Sequence, residues 1–346
     1  MSITVRTLAA GSAAAGEWDA FVEATPGGTL YHQLAWRRIF TGEFGWESHY
    51  LEARRGEALE GVLPLVRLKS RLFGDFLVSL PYVNYGGVVA RNAAADQALT
   101  AAATELGRSL GVGHLEMRER FPRDTSWPVR ADKVGMEAPL AATAEAQWQQ
   151  LPSKLRSQVR RPEKAGATAR VGGRELLPLF YAVFSRNMRD LGTPVYARSF
   201  FGTVARELGD HVEVVVSELE GRPVAAGILI HAGGRTEIPW ASSLRSVNRL
   251  GVNMLMYWTA LKRAIERGST VFDFGRSSRD SGTFNFKRQW GAEPVPHYWH
   301  YWLRDGGDLP ALNPSNPRFA LAIAAWQRLP LWLANALGPP IVRNLP

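Results

Sequence analysis

The chain has 346 residues, 46% hydrophobic and 21% charged, proportions that exclude a disordered or collagen-like protein and leave room for about two domains. It has no cysteine, which excludes disulfides, thiolate metal sites and a cysteine nucleophile. Lysine and arginine number 41 against 32 acidic residues, a net charge of +9, and since only six are lysine, 35 are arginine, the side chain suited to bidentate binding of phosphate or carboxylate.

The opening MSITVRTLAAGSAAAGEW reaches Glu17 and Trp18 without a basic region and a long apolar run, so no signal peptide is predicted and a cytoplasmic location is expected. The first half then predicts a helix over Gln33 to Thr41, strands over Ser48 to Ala53, Leu59 to Leu68 and Pro81 to Tyr85, a helix over Asp96 to Leu110, and a strand over His114 to Met117.

From Glu175 to Leu191, Phe180, Phe184 and Met188 recur at helical spacing, and Gly192 and Pro194 end the helix. Ala197 to Leu208 repeats the pattern with Phe200, Val204 and Leu208. VEVVVSELEGRPVAAGILIHAGGRTEIPWAS then predicts three antiparallel strands turning at Glu220-Gly221 and Gly233-Gly234. Asn253 is expected to cap a helix bearing Leu255, Trp258, Leu261 and Ile265, closed by Gly268. A strand at 271 to 275, a short helix around Phe284 to Trp290 and an aromatic strand over His297 to Leu303 complete this half. The apolar stretch from Phe319 to Leu337 is interrupted by Gln327, Arg328 and Pro330, too short to span a membrane. It is expected as a helical hairpin packed on the body, with membrane-surface contact through Trp326 and Trp332 as the alternative.

The two halves share an order. EALEGVLPLV at 57 to 66 sits where GRPVAAGILI sits at 221 to 230, and HLEMR at 114 to 118 where VFDFG sits at 271 to 275. Offsets of roughly 160 residues imply a duplicated unit, each mixing helices with a largely antiparallel sheet, an α+β class. The expected boundaries are 1–150, 151–305 with the active-site cleft, and a helical extension at 306–346. Neither a dinucleotide-binding glycine motif nor a phosphate-binding P-loop is present.

Three segments can carry chemistry. LPSKLRSQVRRPEKAG holds Lys154, Arg156, Arg160, Arg161 and Lys164 with one acid, Glu163, and reads either as a solvated helix surface or as a phosphate cradle. In VFDFGRSSRDSGTFNFKRQWG, Asp273 lies between two phenylalanines, where a carboxylate is costly unless paired with a group such as Arg276, while Lys287 is placed facing out of a short helix, suited to an oxyanion or a phosphate. In EIPWASSLRSVNRLGVNMLMYW, a strand ending near Trp240 runs through Arg245 to a helix start at Asn253, a place that favours an anion. The seven histidines, among them His297 and His300, show no metal-ligand spacing, so no metal is expected.

These segments, with FYAVFSRNMRDLGTPVYARSFF and VAAGILI, resemble the FemAB-like proteins, close to the subgroup of exosortase and PEP-CTERM exopolysaccharide systems, over about residues 15 to 305. The resemblance implies two tandem GNAT-like (acetyltransferase-type) units and N-acyl or aminoacyl transfer to an amine. It implies that GTFNFK, with Phe286 and Lys287, lies beside the acceptor, and that the 154–161 stretch leads into the second unit. The long coiled-coil insertion that some cell-wall members carry for tRNA contact is absent from the sequence.

The leading expectation is an N-acyltransferase acting in cell-envelope or exopolysaccharide precursor metabolism. Lys287 and Asp273 would be catalytic, and Lys154, Arg156, Arg160, Arg161, Trp240, Arg245, Asn253, Arg276 and Phe286 would bind substrate. No tightly bound cofactor is expected, with acyl-CoA or aminoacyl-tRNA as co-substrate. The partners expected are a phosphorylated or lipid-linked envelope precursor, tRNA and the inner membrane face, not DNA. The alternatives are a peptidoglycan-precursor aminoacyltransferase using aminoacyl-tRNA and a basic scaffold without catalysis.

Overall fold

The computed structural model describes residues 2–9, 11, 15–70, 73–123, 125–310 and 320–345. In chain order the elements are β1 (Ile3–Thr7), α1 (Ala15–Ala24), α2 (Leu34–Phe44), β2 (Glu47–Arg55), β3 (Ala58–Ser70), β4 (Gly74–Val78), β5 (Val89–Ala90), α3 (Ala93–Ser109) and β6 (His114–Glu119). There follow β7 (Val129–Arg130), β8 (Lys133–Pro139), α4 (Ala144–Gln150), α5 (Ser153–Lys164), β9 (Thr168–Gly172), α6 (Leu177–Leu191), α7 (Arg198–Glu207), β10 (Val212–Leu219), β11 (Arg222–Ala232) and β12 (Arg235–Ser243). The last are α8 (Val252–Glu266), β13 (Val271–Ser278), α9 (Gly282–Arg288), β14 (Glu293–Pro296), β15 (Tyr298–Leu303), α10 (Ala320–Gln327) and α11 (Leu331–Val342).

Two units result, one of Met1–Val134, Pro296–Ala311 and Arg343–Pro346, the other of Gly135–Val295 and Leu312–Val342. The first unit's sheet runs β1-β2-β3-β4-β6-β15-β7, with β5 beside β3; the second runs β9-β10-β11-β12-β13-β8-β14. Place for place the orders agree. Each has four antiparallel strands, then one parallel step, β4 to β6 in the first sheet and β12 to β13 in the second. The matching strands β3 and β11, and β6 and β13, are those the sequence repeat pairs. The sixth place is exchanged: β15, late in the chain, completes the first sheet, and β8, from the first half, completes the second. The units therefore differ from contiguous 1–150 and 151–305 segments, because sheet hydrogen bonds and not chain order decide where these two strands lie.

Alternation explains the packing. In the first unit Leu51, Leu63, Leu65, Leu77, Leu115 and Met117 meet Ala95, Leu99 and Ala103 of α3, while Tyr50, Leu59 and Val62 join Trp18 of α1 and Leu34 of α2 in a second cluster. In the second, the stripes read from sequence are buried at Phe180 and Phe184 of α6, Phe200 and Val204 of α7, and Leu255, Trp258 and Leu261 of α8. The turn at Gly233-Gly234 has φ of 53° and 71°, the left-handed pair that a two-residue hairpin needs. Residues 81–85 do not form the expected strand; the strand lies earlier, at β4, and the later residues form the loop that closes over β6. Residues 311–319 of the expected C-terminal extension lie outside the described residues.

Candidate active site

The site of interest lies where β12 and β13 run side by side in the second unit. Their parallel ladder holds only Arg235↔Val271, Thr236↔Phe272 and Glu237↔Asp273, although both strands continue. Beyond that point β12 stays with β11, as far as Ser243↔Ala225, and β13 borders β8. Gly275 explains the break: its φ of +73° turns the strand, and its N–H is accepted by Asp273 Oδ1 at 2.8 Å. The turn's carbonyls are held by Lys287, whose Nζ donates to Gly275 O at 3.0 Å and Arg276 O at 3.1 Å.

Three ionisable side chains converge there out of water: Glu237, Asp273 and Lys287 are all buried. Burial pushes the Lys287 ammonium down to about 8, and the negative charges of Asp273 and Glu237 keep it from falling further. Asp273 Oδ2 lies 3.8 Å from Arg235 Nη2, which forms an ion pair with Glu137 Oε1 of β8 at 2.6 Å. Two of the three N–H groups of the ammonium are spent on carbonyls, which leaves one. A buried cation with a free donor beside two buried carboxylates can stabilise a developing oxyanion and accept a proton from an amine.

The structure brings the expected Lys287 and Asp273 together, but Lys287 lies in an environment other than the expected one. Lys287 is buried against β13, not facing outward, because a seven-residue helix seated on the strand turns it inward. Arg235, 38 positions away in sequence, is also close to Asp273, placed there by parallel pairing of β12 and β13. Glu237, Arg235 and Glu137 were missed; a glutamate inside the apolar strand Glu237-Ile238-Pro239-Trp240 was the available signal for the first.

The other expected residues divide. Phe286 is half-buried, its ring 5.0 Å from Tyr257 of α8. Trp240 is buried, edge-to-face with Phe200 and Phe201 at 5.6 and 5.4 Å. Arg276 is half-buried beside Gly275. Asn253 is not the helix cap: Gly251 takes that place with φ 79°, and Asn253 falls in the first turn of α8. Lys154, Arg160 and Arg161 are exposed on α5, whose Leu155, Val159 and Pro162 are buried. Arg156 donates to Gln149 at 3.2 Å, and Arg160 lies over Trp148, itself packed on Trp258 of α8. The site for a Cβ on Gly251 is 3.5 Å from Gln158 O, so α5 borders the start of α8 and the exposed Arg245 loop. No contact among the described residues joins these cations to Lys287.

The corresponding point in the first unit is closed. After the Val78↔Glu116 pair, Ser79 N–H donates to Glu116 O at 2.9 Å, and Ser79 Oγ accepts the Arg118 N–H at 3.0 Å. The buried Arg118 guanidinium donates to Glu116 at 2.6 Å and to Leu80 O and Val83 O at 3.2 and 2.8 Å, under Trp299 at 4.1 Å. Burial alone would raise the Glu116 carboxyl, but Arg118 and the Tyr301 hydroxyl outweigh it and hold it low.

Residues 153–288 match the family described as Acetyltransferase (GNAT) domain. The match falls within the second unit, and the fold is a tandem GNAT-like architecture. The fold is similar to a crystal structure of FemX, with 16% identity, coverage of 86% of this chain and 96% of that one, and a TM-score of 0.64. It is also similar to a tandem GNAT protein from the clavulanic acid biosynthesis pathway, with 12% identity, 89% and 100% coverage and a TM-score of 0.56. A third likeness is to L-PGS from Bacillus licheniformis, with 13% identity, 91% and 96% coverage and a TM-score of 0.55. No curated protein matches the sequence.

Proposed function

We propose that this protein transfers an acyl or aminoacyl group from an activated ester or thioester to an amine of a cell-envelope or exopolysaccharide precursor, at the point where β12 and β13 part. The observation that carries the reading is the buried set Glu237, Asp273 and Lys287 beside Gly275, where the parallel ladder stops. The neutral acceptor amine attacks the donor carbonyl carbon, a C–N bond forms, and the tetrahedral oxyanion receives the remaining Lys287 N–H. A proton from the amine passes to Glu237 or Asp273 and on to the leaving thiolate or alkoxide as its bond to carbon breaks. No covalent enzyme intermediate is needed. The donor's phosphates sit on Arg160, Arg161 and Arg245, where the basic face of α5 borders the start of α8.

Acyl-CoA and aminoacyl-tRNA are the donors that suit this arrangement, and the finer likeness to exosortase-associated FemAB-like proteins favours a sugar-linked amine over a peptide as acceptor. Mass spectrometry of cell-wall peptides and exopolysaccharide from a deletion strain tests the reading. Loss of an acyl group from the polysaccharide is expected; loss from the cell-wall peptide would transfer the acceptor to peptidoglycan precursors, and two unchanged polymers would point to a scaffold.

A further inference from the structure

We propose that α10, α11 and the end of α6 form a docking face for the surface of an anionic phospholipid membrane, a property separate from the chemistry at Lys287. Among the described residues six large hydrophobic side chains are exposed, and four belong to this face: Leu191 at 47%, Leu321 at 85%, Trp332 at 72% and Leu337 at 45%. The helices are fixed to the second unit and not loose. Arg189 of α6 donates to Leu329 O at 2.8 Å, and Gly338 lies so close to Val195 that a Cβ would meet its backbone at 2.8 Å. On α11, Ala334, Gly338 and Val342 form the seated side, at i, i+4 and i+8, while Trp332, Ala336, Leu337 and Pro340 share the exposed arc. A helix apolar on both sides buries both.

Charge and length identify the second surface as lipid. From Ala320 to Val342 there is no acidic residue and a single charged one, Arg328, which stands exposed between the helices. Arg186, also exposed, lies on α6 one turn before Arg189, whose guanidinium meets Leu329 O. Neither cation has a side-chain partner in the described structure, and the nearby Asp190 is held by Arg189 at 2.7 Å. Exposed apolar side chains, a tryptophan, uncompensated arginines and a chain of net charge +9 complement an anionic lipid surface. With 8 and 12 residues, at about 1.5 Å rise per residue, the helices lie in the plane of an interface and do not cross it.

The test is co-sedimentation of the full chain with vesicles of phosphatidylcholine alone and of phosphatidylcholine mixed with phosphatidylglycerol. Binding is expected to the mixed vesicles, to weaken with salt, and to fall about tenfold or more in a Leu321→Ser, Trp332→Ser, Leu337→Ser variant. An Arg186→Gln, Arg328→Gln variant is expected to lose the preference for phosphatidylglycerol. All five side chains are exposed, so thermal unfolding should match wild type; if the triple variant unfolds, Trp332→Ser alone reports the same loss. Acyl transfer to a water-soluble acceptor should be unchanged, which separates this proposal from the proposed reaction. No binding of the wild type, equal binding of the variants, or a dimer that the triple variant breaks would overturn it.

Discussion

Replacing Lys287 with methionine removes a buried charge and should change how stability depends on pH. Burial lowers the ammonium to about 8 in the folded protein, against an unperturbed value of about 10.4 in the unfolded chain. At about 1.4 kcal/mol per unit, holding the charged form folded costs about 3 kcal/mol. The side chain is 7% exposed, so solvent screening gives little relief. Because the folded value is the lower one, the unfolded state binds more protons between roughly pH 8 and 10.5, and stability rises as pH climbs through that window. The rise is about 2 kcal/mol from pH 7 to 9.5. Lys287→Met leaves Gly275 O and Arg276 O without their donor, which costs about 1–3 kcal/mol for each, but it also relieves the charge penalty, so the variant should fold. Urea unfolding of both proteins across this range is the assay. Wild type should gain on the variant by about 2 kcal/mol as pH increases. Parallel curves would show that Lys287 is not a buried, proton-shifted group.

Gly275→Ala forces a left-handed φ on an alanine and should lower stability by about 1–2 kcal/mol and weaken transfer more than binding, read by thermal unfolding and initial rates. Arg118→Met in the first unit strands the buried Glu116 and should cost about 3–5 kcal/mol, with part of the loss recovered when Glu116→Gln is added. Arg160→Glu with Arg161→Glu should leave the melting temperature nearly unchanged, since both are exposed, while raising the donor KM and making it less sensitive to salt.

Much of the second unit was legible because its elements are long and regular. Phe180, Phe184, Phe200, Val204, Leu255 and Leu261 repeat at helical spacing and are buried. The duplicated order was visible as well, since β3 and β11 carry similar apolar runs. Exchange of β8 and β15 was not, because nothing local distinguishes a strand that joins its own sheet from one that joins another; Val134, Met136 and Ala138 alternate, which marks β8 as a strand but not the sheet it joins. The candidate site was half legible. Asp273 stood out as an acid between phenylalanines, but its neighbours Glu237 and Arg235 depend on a parallel pairing across an intervening helix. The burial of Lys287 follows from how α9 seats on β13, which seven residues are too few to encode as a periodic pattern.

The proposed acyl transfer takes place where β12 and β13 part, with Lys287 stabilising the oxyanion. Its most direct test is the single-turnover rate of acyl transfer by wild type and Lys287→Met, on preparations shown to be folded and to bind donor equally well. The rate should fall about 10²-fold or more, the scale of losing one oxyanion donor, with donor affinity preserved. A folded Lys287→Met protein that transfers the acyl group at the wild-type rate would contradict the account.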